Sequence, residues 1–225
     1  MKIFIALVTI AFAIVGTSAT KHCYADAENA CNQNNPDDTL PNCNAIYSGF
    51  PHAQMSLHEY TVMQIQSSYE YLLLSSKFST HVKNRPGFAK KFRELSDRSW
   101  NQGIDLIKHM TKRGGKMEFR KVEKPRLLYG HTLELDELQS MAIVLENEKF
   151  LARSAHHIHQ TVSHANHTTH YDPALGHYIE EHFLEDQADT IRQYSGYAND
   201  LKHFMQEKHN VALSLYLFDE YLQKE

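Results

Sequence analysis

The segment PGFAKKFRELSDRSWNQGIDLIKHMTKRGG, residues 86–115, decides how the chain folds. Phe88, Phe92, Leu95, Leu106 and Met110 recur at three-and-four spacing, the period of one helical face. Pro86 suits a first helical turn, and Gly114 with Gly115 can adopt the left-handed conformation that ends a helix. The segment predicts one long amphipathic helix. On the same stripe stand Ser99 and Gln102, where such a helix wants leucine.

Working outward, the pattern predicts a preceding helix over about 54–80, with Val62, Ile65, Tyr69, Leu72 and Ser76 inward. After the glycines, KMEFRKVEKPR (116–126) ends at a proline and reads as an extended crossover. A third helix runs from about 132 or 135 to 159, with Leu138, Ala142, Leu145, Ala152 and Ala155 inward. A polar, histidine-rich turn leads to a fourth over 173–206, with Ile179, Phe183, Ile191, Ala198 and Leu201 inward. VALSLYLFDEYL (211–222) predicts a short final helix too apolar to face water alone. The expected fold is all-α: a four-helix bundle with one long crossover and a short fifth C-terminal helix, the ferritin-like topology. Long-chain helical cytokines also use long crossovers, and periodicity leaves that alternative open.

The chain opens MKIFIALVTIAFAIVGTSA, with one lysine, an apolar run and then small residues, the layout of a secretory signal peptide over 1–19. Its apolar run is too short to span a bilayer. A secreted chain is expected, with no membrane partner. Removing Lys2 with the leader takes the formal charge from -4 to -5, which suggests no nucleic acid partner. The 13 basic and 5 acidic residues between Arg85 and Arg126 read as a solvated face. Residues 20–52 are polar and turn-rich and form an extension ahead of a bundle domain over 53–225. That extension holds all three cysteines, Cys23, Cys31 and Cys43. In an oxidising compartment an odd count leaves one over, so either one thiol stays unpaired or a bridge joins a second chain, the reading favoured here.

Bundles of this topology build di-iron centres from inward carboxylates and Glu-x-x-His pairs. No such pair is present: Glu59 is followed three residues later by Val62, Glu94 by Asp97 and Glu146 by Lys149. Zinc-protease, Cys-x-x-Cys, phosphate-loop and nucleophile-elbow patterns are also missing from the sequence. Tyr71, Glu146 and Gln187 remain as polar residues near apolar seams.

Five stretches resemble ferritin subunits in order and spacing: QSSYEYLLLSSKFS (66–79), FAKKFRELSDRSW (88–100), TKRGGKMEFRKVEKP (111–125), YIEEHFLEDQADTIRQYSGYANDLK (178–202) and LSLYLFDEYL (213–222). The signal peptide and cysteine-bearing extension are similar to those of secreted insect ferritins. The resemblance implies that Gln64, Tyr71, Arg98, Ser99, Gln102, Glu146 and Gln187 occupy the positions of the ferroxidase ligands, most of them replaced. It therefore implies a non-catalytic, light-chain-like subunit that stores and transports ferric iron. Heavy-chain partners would supply the oxidation, in a closed cage of about 24 chains, with an interchain disulfide. No organic cofactor is implied. A ferroxidase with a rearranged site is the enzymatic alternative.

Further expectations concern particular residues, the first three from that resemblance and the last two from the sequence itself. Arg98 pairs with Glu146 and plugs the vestigial site, since a lone buried carboxylate would be uncompensated. Glu94, Asp97 and Asp105 stand at mineral-nucleation positions, although Arg98 and Asn101 replace acids there. His177 and Glu180 stand at the three-fold pore, on one face by a spacing of three, and an imidazole there gains charge as pH falls towards about 6. Asn166-His167-Thr168 is a glycosylation acceptor. Eight histidines between His156 and His182 could bind metal as neutral imidazoles, but their spacing matches no single closed site.

Overall fold

The computed structural model describes residues 23–32, 40–118, 136–163, 169–206 and 210–225. The leader, most of the crossover, Asn166, His164 and His167 lie outside the described residues. Two compact units are present, residues 1–44 and 45–225. In the first, α1 (Cys23–Asn32) is a helix where the composition predicts only turns. Its Ala- and Glu-containing run, YADAENA, carries enough helix propensity to form one. Cys23 is bridged to Cys43, with Cα atoms 4.5 Å apart, and the Asn42 N–H donates to Asp26.

In the second unit, the long helices are α2 (Phe50–Phe78), α3 (Pro86–Lys112), α4 (Glu137–Ser163) and α6 (Glu185–Gln206). A short α5 (Pro173–Ile179) and a π-helical turn (Glu180–Leu184) run directly into α6, and α7 (Val211–Lys224) closes the chain. α2 packs along α3, α4 along α6, and α2 against α4, which is the four-helix bundle the pattern predicts. Among the described residues there is no strand, and no helix is long and apolar enough to cross a membrane.

α3 is held at both ends by specific bonds. The Phe88 N–H donates to Asp219 of α7 at 3.1 Å, satisfying a donor that a helix start leaves open. At the other end Gly114 takes φ +81°, and the Gly115 N–H returns to the Met110 carbonyl at 2.8 Å. Asp172 caps α5 by accepting from Leu175 N–H, and the buried Arg113 guanidinium holds it at 2.6 Å.

The buried stripe of α3 matches its pattern, and Ile179, Phe183 and Leu201 are buried as expected of the fourth long segment, but α2 and most of α4 are rotated from the expected phases. α2 buries Leu57, Tyr60, Gln64, Tyr71, Leu74 and Phe78, while Tyr69 and Leu72 are exposed. α4 buries Val144, Glu148, Leu151, Ala155 and Ile158, an unbroken alternation of four and three, and Ala142 is exposed. α6 buries Gln187, Thr190, Tyr194, Tyr197 and Leu201. Both α2 and α4 are apolar on more than one face, so residues on their flanks mimic a core stripe.

The interior consists of two apolar clusters. One gathers Leu74, Phe78, Phe88, Phe92, Met141 and Leu201, with Phe218 of α7. The other gathers Phe50, Leu57, Leu106, Leu151, Ile158 and Phe183. Between them lie the polar residues of all four long helices.

Candidate functional site

The polar layer is built by two or three positions from each long helix. α2 supplies Tyr60, Gln64 and Tyr71; α3 supplies Arg98, Ser99 and Gln102; α4 supplies Asn147 and Glu148; α6 supplies Gln187 and Thr190. Gly103 lets α3 come close here, since a Cβ at that position would stand 3.0 Å from Ile65 Cγ1 and 3.8 Å from Gln64 Cβ.

Glu148 is the anionic centre of the layer, with its side chain 1% exposed. One carboxylate oxygen accepts from Tyr71 Oη at 2.5 Å and the other from Arg98 Nη2 at 2.8 Å. Arg98 Nη1 also donates to Thr190 Oγ1, and Asn147 Nδ2 donates to Tyr71 Oη at 2.8 Å. Burial, and then the Glu148 charge, push the Tyr71 phenol well above its ordinary range, so it stays a proton donor to that carboxylate. Each oxygen of this buried carboxylate is thus already committed to a donor, one to a phenol and one to a guanidinium.

Glu146 does not take the expected place. It lies on the exposed side of α4, and Glu148, two residues on, pairs with Arg98 instead. The physical reason is the phase of α4: Glu148 follows Val144 by four and precedes Leu151 by three, which puts it on the buried stripe. The structure brings Gln64, Tyr71, Arg98, Ser99, Gln102 and Gln187 to one layer. Sequence reasoning missed Tyr60, whose Oη accepts from Gln64 Nε2 and Gln187 Nε2, both at 2.9 Å. The signal available was its position one turn before Gln64 on the same helix face.

The three acids of α3 are each committed to a cation. Glu94 lies 3.2 Å from Lys91, Asp97 is held by Arg93 at 2.9 Å, and Asp105 lies 3.1 Å from Lys108. His177 and Glu180 do not pair with one another. His177 reaches Glu181 at 3.3 Å, and Glu180 reaches His159 of α4 at 3.5 Å. The π turn beginning at Glu180 adds a residue to the helical repeat and re-aims the side chains that follow. Of the histidine-rich segment, His156 and His159 have ring centres 6.5 Å apart, and His170 lies tilted against His52 with ring centres 4.0 Å apart. Among the described residues no group of three or more His, Cys, Asp or Glu could hold a metal ion.

Comparison with known proteins agrees with this geometry. The ferritin family, described as a ferritin-like domain, matches residues 55–204. The chain is 41% identical over 232 residues to the ferritin light chain of Drosophila melanogaster, covering 100% of each. It is 39% identical over 234 residues to the ferritin light chain of Trichoplusia ni, covering 100% of this chain and 99% of that one. The crystal structure of Trichoplusia ni secreted ferritin superposes with a TM-score of 0.80 at 39% identity, over 90% of this chain and 98% of the other.

Proposed function

The chain belongs to the ferritin family, and from that premise we propose that it is the structural, light-chain-type subunit of a secreted iron-storing cage. Heavy-chain-like subunits oxidise iron for that cage, and this chain contributes wall. The observation that carries the reading is the Arg98–Glu148–Tyr71 set at the centre of the bundle. A guanidinium at that depth repels ferrous and ferric ions, and the carboxylate beside it is spent on neutralising the guanidinium. Iron is cargo here, held as ferric mineral in the shared cavity.

The leader over 1–19 and the likeness to a protein described as secreted ferritin support export. The pairing of Cys23 with Cys43 leaves Cys31 as the third cysteine, and we assign to it the bridge to a heavy-chain partner. Glu94, Asp97 and Asp105 make a weak nucleating surface in this subunit, because a lysine or arginine neutralises each. His177 and Glu180, with Glu181 and His159 beside them, are placed at the cation pore between subunits. The domain division proposed is leader 1–19, extension 20–52 and bundle 53–225. Asn166 is the proposed glycan acceptor.

Co-expression of this chain with a heavy-chain-like partner, followed by sedimentation and electron microscopy, tests the assignment. A closed shell containing both chains is expected. A soluble monomer that never enters a shell would overturn it.

A further inference from the structure

Five of the nine buried side-chain atoms that lack a hydrogen-bond partner among the described residues belong to the polar layer: Gln64 Oε1, Arg98 Nε, Ser99 Oγ, Gln102 Nε2 and Gln187 Oε1. Gln64, Ser99, Gln102 and Gln187 are each at most 9% exposed. Unpaired buried polar atoms are unfavourable, and native proteins satisfy nearly all of them. Their concentration between two apolar clusters calls for a ligand that both donates and accepts.

Tyr60 sharpens that requirement. Its oxygen has two acceptor positions and one proton. With both glutamine amides donating to it, the phenolic proton has no acceptor in the set. Turning one amide, whose oxygen and nitrogen are interchangeable in shape, gives the proton an acceptor but leaves an N–H unpaired. Neither arrangement closes without a further molecule, and the class that fits is water, which pairs with two to four polar groups.

The layer also reaches the surface on two opposite faces. Arg98 and Gln102 line a groove of about 670 Å³ between α3 and the π turn. Tyr60 lines a depression of about 290 Å³ between α2 and α4. We propose that a file of water crosses the bundle between these two openings, past Tyr60, Gln64, Gln187, Ser99 and Gln102, and carries protons through the subunit wall. The transport role rests on the cage reading given above; the water file does not.

Proton transfer along such a file needs no redox partner. A proton joins the water at one end, each O–H passes one on, and a proton leaves at the other end, after which the waters and the Tyr60 hydroxyl reorient. Ferric ions hydrolysing to oxyhydroxide release the protons of their water, so a mineralising cavity needs such an exit. Metal cations are refused on the same path. A proton crosses by exchange of O–H bonds along the file, whereas a metal ion would have to shed its water, and Glu148, with both oxygens engaged, offers it no replacement ligand.

Two measurements test this. A high-resolution crystal structure of the folded chain, in a shell or not, should show continuous water bonded to Gln64, Gln187, Ser99 and Gln102; a dry layer with these side chains paired directly would overturn the proposal. In shells loaded with a pH indicator, Gln64→Leu/Ser99→Val should slow internal pH equilibration after a pH jump by at least about twofold, with the single Ser99→Val variant intermediate. Unchanged rates in correctly assembled variants would overturn conduction. If no shell forms, the cage reading and the transport role fall together, while the crystallographic result still decides the water file.

Discussion

Arg98 Nη2 stands 2.8 Å from Glu148 Oε2 in the middle of the bundle, and the same carboxylate takes the proton-bearing oxygen of Tyr71 on its other side. The family resemblance puts metal ligands at this place; this chain has an ion pair instead. The pair explains why the bundle tolerates a carboxylate at this depth without a metal to neutralise it.

Removing one member should therefore destabilise the fold. Arg98→Met leaves Glu148 buried without its cation. The expected loss is about 2–3 kcal/mol by urea titration, less than for a fully buried pair because Arg98 is 26% exposed. The double variant Arg98→Met/Glu148→Gln should recover most of it. A single variant within about 0.5 kcal/mol of the parent would show that the pair does not hold the layer.

His109 gives the stability a defined pH dependence. Desolvation, aided by Arg113 and Lys112, pushes this half-buried imidazole down to about 4, against an ordinary value of 6.5. The unfolded chain thus takes up a proton that the folded chain refuses. The contribution is whole above pH 6.5 and is lost as pH falls from there towards 4. Asp219 acts in the opposite sense, since burial raises its carboxyl above 3.8 and the folded state protonates first. The comparison to make is therefore parent against His109→Asn: the parent melting temperature should fall more steeply between pH 6.5 and 4.5, values chosen to span the shift. Parallel curves would remove His109 from the account.

The cysteines make a separate prediction. With Cys23 joined to Cys43, Cys31→Ser should abolish the heavy–light species on a non-reducing gel and leave assembly intact. A linked species that survives Cys31→Ser would place the interchain bridge elsewhere.

At the proposed pore, His177→Asp adds a carboxylate near Glu181 and Glu180 and strengthens attraction for divalent ions. Iron uptake by assembled cages should rise, and uptake equal to the parent's would take His177 out of the entry path.

α3 was readable because its phenylalanines and leucines stand on one face only, so Ser99 and Gln102 could be placed in the core from spacing alone. α4 was not. Leu138, Ile143 and Leu145 pack at its flanks, while the buried face carries Asn147 and Glu148, which look like surface residues in a periodicity count. A count along those flanks sets Glu146 beside the seam, in agreement with the resemblance, whereas Glu148 is the carboxylate on the buried face. A polar layer inverts the usual signal, because its residues are buried for the partners they meet on other helices. Tyr60 is the clearest case, since Gln187 reaches it across 127 positions of sequence. The π turn, with its exchange of partners at Glu180 and Glu181, depends likewise on how α5 meets α4.

Ferrous oxidation by a shell made of this chain alone tests the central claim most directly. The parent should oxidise iron no faster than buffer, whereas Gln64→Glu/Arg98→Glu/Ser99→Glu/Gln102→His should gain measurable oxidation, because Tyr71, Glu148 and Gln187 already line the same layer. Saturable oxidation by the unmodified shell would contradict the account.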